Sequence, residues 1–353
     1  MTTTKVLKKI LTKKRRKDEE VISSKDLLSS GSTLLNLALS GRAKGGYVKG
    51  KYYSLVGDSD SGKSWLGMSA LAEAAYSPEF DDYELIYNNA EDGALMDVGK
   101  FFGKLKDRIT ITASETLDEF YDRITARIEK KQPFIEILDS MDVLDAEADL
   151  KKFKKNRSRR DKDTEAKGNY GIAKAKMNSE NLRKVRSRLK ETGSILIVVS
   201  QTRDNIASIG PGDKKTRSGG KAIKFYAAVE FWTSIRENIT KKILNKNRQQ
   251  GIIARIQVKK NHITGKKREV LVPIYHSAGM DDVGSCIAYL VDEGHWKLDK
   301  AIKAPEFNFV GRTGDLIKKI QEEDSEGELR GIVQKVWREI ETACEVKRKP
   351  RYT

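Results

Sequence analysis

The sequence predicts an α/β fold, a mostly parallel sheet covered by helices on both faces, and three observations carry that reading. The apolar run Tyr52-Tyr53-Ser54-Leu55-Val56 leads into Gly57-Asp58-Ser59-Asp60-Ser61-Gly62-Lys63-Ser64 and then into a helix-forming stretch, 65–75. Strand-like runs recur at 83–87, 109–112, 134–138, 195–199 and 227–235, with helical patterns at 117–131 and 172–190 between them. Strands that are apolar throughout belong to sheets buried on both sides, and their alternation with helices implies crossover connections. A chain of 353 residues also exceeds the ~250–300 residues at which one core stops growing, so a smaller appended part is expected.

The Gly-rich stretch has the spacing G-x-x-x-x-G-K-S, a P-loop. Backbone N–H groups and the positive end of the following helix suit the α and β phosphates of a nucleotide, so residues Gly57, Asp58, Ser59, Asp60, Ser61, Gly62, Lys63 and Ser64 form the expected cradle. Lys63 would reach the β and γ phosphates, and Ser64 would hold Mg²⁺. The strand before and helix after this loop are the context that separates it from a surface turn.

Upstream, residues 27–41 carry a capped helix signal that ends at Gly41. Downstream, ligands of parallel sheets gather at the carboxyl ends of strands, and three residues there are candidates. Glu91 follows the strand at 83–87 and would position and deprotonate an attacking water. Asp139 ends the apolar run 133–138 and would serve the metal, directly or through water. Gln201 follows 194–200, placed to sense a γ-phosphate by hydrogen bonding. In the helix at 172–190, Leu182, Val185 and Leu189 fall on one face.

Lys+Arg number 68 against 51 Asp+Glu, a net charge of +17 and a pI near 9.5. That balance favours a polyanionic partner, nucleic acid before an anionic membrane. Much of the charge is clustered. Residues 151–160 contain Lys151, Lys152, Lys154, Lys155, Arg157, Arg159 and Arg160, and the glycine-rich stretch 203–221 contains Arg203, Lys214, Lys215, Arg217, Gly219, Gly220 and Lys221. Both read as loops for a phosphate backbone, the second without regular structure and tethered to Gln201. Residues 1–20 read as a short basic amphipathic helix around Val6, Leu7, Ile10 and Leu11, suited to DNA, a membrane or a neighbouring subunit. The two cysteines, Cys286 and Cys344, are far apart in sequence and suggest neither a disulfide framework nor a zinc site. With no apolar run of ~18 residues and no signal-peptide core, a soluble cytoplasmic protein, with no membrane partner, is expected.

The string Ser218-Gly219-Gly220-Lys221-Ala222-Ile223-Lys224-Phe225-Tyr226-Ala227-Ala228-Val229 closely resembles the segment after the second DNA-binding loop of RecA-type recombinases. Other pieces agree in order: residues 30–39 with the lead-in to the P-loop, 90–95 with the catalytic-glutamate segment, Leu138-Asp139-Ser140 with the Walker B strand end, 171–203 with the helix and strand that end in the glutamine sensor. The landmarks 258–261 and 288–294 extend the resemblance, which runs from about 22 to 300.

The resemblance implies a RecA-like P-loop ATPase core over 31–300, with DNA loops at about 150–170 and 203–221. A basic N-terminal segment, 1–30, would precede it and a small helical region with a basic tail, 301–353, would follow. It implies a helical filament on single-stranded DNA, ATP with Mg²⁺ bound between subunits, and double-stranded DNA as the partner for homologous pairing and strand exchange. Carried over by position, Phe225 couples sensor to neighbour and Lys260 reaches ATP from the adjacent subunit. The second such lysine is His262 here, only partly charged near neutral pH. The first DNA loop is longer and more basic than the family pattern, and the chain ends in Lys347-Arg348-Lys349-Pro350-Arg351 where bacterial members carry acid. These departures suggest a phage-type or otherwise divergent member. A ring-forming helicase or translocase, with Arg255 or Arg268 as an arginine finger, and a non-catalytic annealing protein with a vestigial ATP site remain alternatives.

Overall fold

The computed structural model describes residues 22–92, 97–151, 172–204, 215–217, 221–348 and 351. The expected N-terminal helix over 1–20 falls outside them.

The sheet is built on β3 (Tyr52–Gly57), every residue of which is buried. Strands β4 (Glu84–Asn88), β5 (Ile109–Thr112), β6 (Phe134–Leu138), β7 (Ile195–Asp204) and β9 (Val229–Ile243) join it in the parallel order β9-β3-β7-β6-β4-β5. Beyond β9 the sheet turns antiparallel through β10 (Lys246–Asn261), β11 (Glu269–Tyr275) and β12 (Gly279–Met280). The sheet is therefore mixed, its parallel half as expected and its antiparallel wing an addition.

Alternation along each central strand sorts side chains to two faces. Tyr53, Leu55, Ile135, Ile137, Ile195, Ile197 and Val199 enter one apolar core, whereas Tyr52, Phe134, Leu138, Leu196 and Val198 enter the other. The second core is closed by α4 (Leu117–Glu129) and α5 (Ile172–Thr192), the latter presenting Leu182, Val185 and Leu189. In α4, Thr116 caps the first turn by accepting from the Glu119 N–H, and Leu117, Phe120, Tyr121, Ile124 and Ile128 make the buried stripe. Each such side chain contributes ~1.5–3 kcal/mol by leaving water.

The first core is covered by α1 (Thr33–Ser40) and α2 (Lys63–Tyr76), with α3 (Val98–Phe102) at its margin. Helix α1 starts later than its sequence signal, because Leu27–Leu28 forms a strand, β1, against β2 (Tyr47–Val48). Ser32 caps α1, and Gly41 ends it with a left-handed φ of 76°. Helix α2 lies close to β6: a Cβ on Gly67 would meet Ile137 Cγ2 at 2.8 Å.

The same core continues into the C-terminal part. There α7 (Asp282–Asp292), α8 (Thr313–Glu322) and α9 (Glu326–Ala343) contribute Leu290, Leu316, Ile320, Val333 and Trp337. A small sheet of β13 (Lys297–Leu298), β14 (Ile302–Ala304) and β15 (Phe309–Gly311), which the sequence did not predict, lies between α7 and α8. Helices α8 and α9 both lie within the stretch 301–353. No described helix is long and apolar enough to cross a membrane.

Of the stretch 203–221, the described residues take regular structure. Strand β7 runs on to Asp204, β8 (Lys215–Arg217) pairs antiparallel with Thr202–Asp204, and α6 (Lys221–Tyr226) follows. Pairing gives the backbone groups of Thr202, Arg203 and Asp204 partners that a loop would leave to solvent.

Candidate functional site

The P-loop joins the carboxyl end of β3 to α2. A Cβ on Gly57 would meet Thr233 Cγ2 at 2.4 Å and the Thr233 carbonyl at 2.8 Å, so β3 leaves the sheet there only with glycine. Gly62 sits at the N-cap of α2 with φ 91°, and no side chain caps this 14-residue helix. Its first N–H groups are left for an anion, which is the donor set a phosphate requires. The loop is fixed from inside and outside. Ser61 Oγ donates to the Asp58 carbonyl at 2.7 Å, Thr233 Oγ1 donates to the Ser61 carbonyl at 2.6 Å, and Thr202 Oγ1 donates to Asp58 Oδ1. Ser59 and Asp60 are exposed, Asp60 at φ 58°.

Lys63 Nζ donates to the Asp58 carbonyl at 2.5 Å. Burial lowers its pKa from the usual lysine range, opposed by the carboxylates of Asp139, Glu91, Asp58 and Asp60. A phosphate would supply the anion this largely buried ammonium faces only in part.

Asp139 is the hub of the far wall. Its Oδ2 accepts from Ser64 Oγ and from the Tyr87 hydroxyl, both at 2.6 Å. Tyr87 is held firmly protonated, its pKa pushed up by burial and then by Asp139. Ser64 and Asp139, the two candidates for the metal, thus meet. Among the described residues no cluster of three His, Cys, Asp or Glu forms a cage. The donor set suits Mg²⁺, which keeps waters and takes few protein oxygens beside phosphate.

Glu91 is brought to the same wall. Its N–H donates to the Asp139 carbonyl at 3.0 Å, and its Oε1 accepts from Gln201 Nε2 at 2.5 Å. The Gln201 N–H donates in turn to Asp142 Oδ2 at 2.6 Å, while Asp142 Oδ1 is buried without a partner among the described residues. Lys174, on α5, donates through Nζ to the Asp142 carbonyl at 2.8 Å and through its N–H to Asp149 Oδ2 at 3.1 Å. Gln201 and Lys174, near the start of α5, therefore share Asp142.

Tyr87, Asp142, Thr202 and Thr233 carry no motif that marks them in the sequence. Tyr87 closes an apolar strand four residues before Glu91, and Asp142 follows Asp139 by three, so strand-end position was the available signal.

A model of the RecA N-terminal domain matches residues 8–281. The chain belongs to the RecA family. Relatives include the chromosomal RecA protein of Lactococcus lactis subsp. lactis, 24% identical over 300 residues that cover 85% of this chain and 72% of that protein. The RecA proteins of Mesomycoplasma hyopneumoniae and Streptococcus agalactiae are each 25% identical, over 77% and 75% of this chain and 75% and 65% of their own lengths. At the family level this is a RecA-like recombinase and ATPase fold, with ATP, Mg²⁺ and DNA as the family's ligands, in a divergent member.

Two RecA-type positions lie apart from the wall just described. Gly57 pairs with Thr233 on β9, whereas Lys260 on β10 pairs with Glu230, toward the amino end of β9. Lys260 and His262 therefore sit toward the opposite end of the sheet from the P-loop of their own protomer. Lys260 Nζ donates to the carbonyls of Lys224, Phe225 and Ala227 at 2.7–2.8 Å, closing the carboxyl end of α6. His262 is exposed, and desolvation, followed by the charges of Lys260 and Arg186, lowers its pKa from the usual histidine range. Phe225 is 70% exposed.

Of the basic positions, Arg203 is exposed at the end of β7, and Lys151 is exposed and paired with Glu147 at 3.0 Å. The backbones of Lys215, Arg217 and Lys221 fall in β8 and α6. Lys152, Lys154, Lys155, Arg157, Arg159, Arg160, Lys214, Gly219 and Gly220 lie outside the described residues. Arg255 and Arg268, the finger candidates of the helicase reading, are engaged within the chain, Arg255 by Glu269 at 2.6 and 2.7 Å and Arg268 by Glu341.

Proposed function

We propose that the chain is a DNA-dependent ATPase that assembles into a filament on single-stranded DNA and catalyses homologous pairing and strand exchange with a duplex. The observation that supports this most is the split between the P-loop wall and the pair Lys260 and His262, which stand away from it at the other end of the sheet. Stacking protomers head to tail would bring the second pair to a neighbour's nucleotide, and a heterologous contact that does not close generates a helix.

In this reading the uncapped start of α2 and Lys63 hold the phosphates, and Glu91 takes the proton of the attacking water. Gln201, bonded to Glu91, exchanges that contact for the γ-phosphate and passes its position to the strands and loop that follow it. Mg²⁺ would offset phosphate charge, held by Ser64 and Asp139. Lys151, Arg203 and the cations around them contact the strand through its phosphates, so no base sequence is read. Phe225 lies on α6, whose carboxyl end holds the Lys260 ammonium.

Electron microscopy on single-stranded DNA with a slowly hydrolysed ATP analogue tests the proposal. Helical filaments, with strand exchange between homologous DNAs in solution, are expected; closed rings that unwind duplexes would replace it with the helicase reading.

A further inference from the structure

The end of the sheet that presents Lys260 and His262 also receives the last turns of α5. The Ser194 N–H donates to the Leu189 carbonyl at 3.1 Å and the Gly50 N–H to the Ser194 carbonyl at 3.0 Å, which sets the end of α5 beside the amino ends of β7 and β3. The Ala228 N–H donates to the Tyr52 carbonyl at 2.7 Å, and the His262 N–H to the Ala228 carbonyl at 2.9 Å, so the residue after β10 arrives at the same place. Leu182, Val185 and Leu189 turn one face of α5 into the core with Ile223 of α6. Arg186, ~100° round the helix from Val185, is exposed, and its charge reaches the His262 imidazole.

Lys260, His262 and Arg186 differ in what each can offer an anion. The Lys260 ammonium is engaged by the carbonyls of Lys224, Phe225 and Ala227 and must leave them to reach outward. His262 holds its proton less firmly than an ordinary histidine, first through desolvation and then through Lys260 and Arg186. Arg186 stays charged at any working pH, and its planar fork of N–H donors matches two oxygens of one phosphate. Among the described residues it has no ion pair and no side-chain hydrogen bond. An exposed arginine on a basic helix is often only solvated. This one stands beside the two residues that the head-to-tail reading turns toward a neighbour, and its donors are unengaged as it stands.

We propose that Arg186 acts in trans beside Lys260, its guanidinium reaching the γ-phosphate of the nucleotide held by the P-loop of the next copy of this chain. The inference rests on the shared-site reading above and adds a residue to it. In the reaction water adds to the γ-phosphorus and gives its proton to Glu91, while the bond to the β–γ bridging oxygen breaks and its electron pair stays with ADP. The charge that grows on these oxygens is what a cation from the neighbour offsets.

The test uses full-length Arg186→Ala, alone and in mixtures. Alone, it is expected to bind single-stranded DNA and a fluorescent ATP analogue as the parent does and to lose about 10²–10³-fold of DNA-stimulated phosphate release, the range for one donor aimed at developing charge. Arg186→Lys, which keeps the charge without the fork, is expected to recover part of that loss. Mixed in equal amounts with Lys63→Ala on single-stranded DNA, Arg186→Ala is expected to regain roughly a quarter of the parent's turnover, the share of contacts that join an intact P-loop to an intact neighbour. Mixed with Lys260→Ala it is expected to stay inactive, because both defects lie on the wall that is lent. The reverse pattern, recovery with Lys260→Ala and none with Lys63→Ala, would place the defect within Arg186's own protomer and overturn the inference. Unchanged turnover in Arg186→Ala, or a loss that follows weaker single-strand binding, would also overturn it and leave Arg186 as a surface cation or a DNA contact. If Lys63→Ala and Lys260→Ala regain nothing when mixed with each other, the shared-site reading falls first and takes this inference with it.

Discussion

Gln201 Nε2 donates to Glu91 Oε1 at 2.5 Å, joining β7, level with Gly57, to the carboxylate beyond β4. The residue that would report the γ-phosphate thus holds the residue that would activate water. Glu91→Gln is expected to lower DNA-stimulated phosphate release by about 10²–10⁴-fold, the range of general-base removal, while a fluorescent ATP analogue still binds. Gln201→Ala is expected to abolish the ATP dependence of single-strand binding. ATP-dependent binding that survives in Gln201→Ala would break the link from nucleotide to loop.

Tyr87 shares Asp139 Oδ2 with Ser64, and its hydroxyl stays protonated. Partners of this kind orient a metal's carboxylate, and their removal costs about 10–100-fold in metal affinity. Tyr87→Phe is expected to raise by ~10-fold the Mg²⁺ concentration at half-maximal ATP turnover, with little change in turnover at saturating Mg²⁺. An unshifted Mg²⁺ titration would limit Tyr87 to packing.

Two glutamates that pair with arginine are expected to give opposite pH signatures. Glu136 on β6 is fully buried beside Arg127 and Asn88, and burial raises its carboxyl pKa against their opposing effect. Its folded form binds the proton more tightly than the unfolded chain, so stability falls as pH rises from the ordinary glutamate range through the raised value. Glu136→Gln should flatten that part of a melting-temperature profile. Glu341 is the reverse: hydrogen bonds from Arg268, and then Lys266, lower its pKa. The stability it lends to the docking of α9 is present above the ordinary range and lost as pH falls through the depressed value. Glu341→Gln should remove that acid-side loss, and a profile unchanged in both variants would contradict these assignments.

The parallel half of the sheet was legible because its strands are apolar on both faces, and the P-loop because strand, glycine and helix follow in sequence. The far half of the β9–β10 ladder was not. Beyond Ile235 the strand reads Arg-Glu-Asn-Ile-Thr-Lys-Lys-Ile, with no run to bury, and its extended form comes from the facing ladder rather than from a local preference. The short strands β13 to β15 fall below any window of periodicity. Within the site, the residues that would carry chemistry could be read from strand ends. Their supports could not, since Tyr87 meets Asp139 across 52 residues and Asp142 meets Gln201 across 59.

The central claim is that each nucleotide site takes one wall from each of two protomers, and subunit mixing tests it most directly. Lys63→Ala spoils the P-loop wall of its own protomer, and Lys260→Ala the wall it would lend to a neighbour. Each alone is expected to be inactive in DNA-stimulated ATP turnover. In an equal mixture on single-stranded DNA, roughly a quarter of the head-to-tail contacts would join two intact walls, and turnover should return to about that fraction of the parent's. A mixture no more active than its separate parts, with both variants folded and bound to DNA, would contradict it.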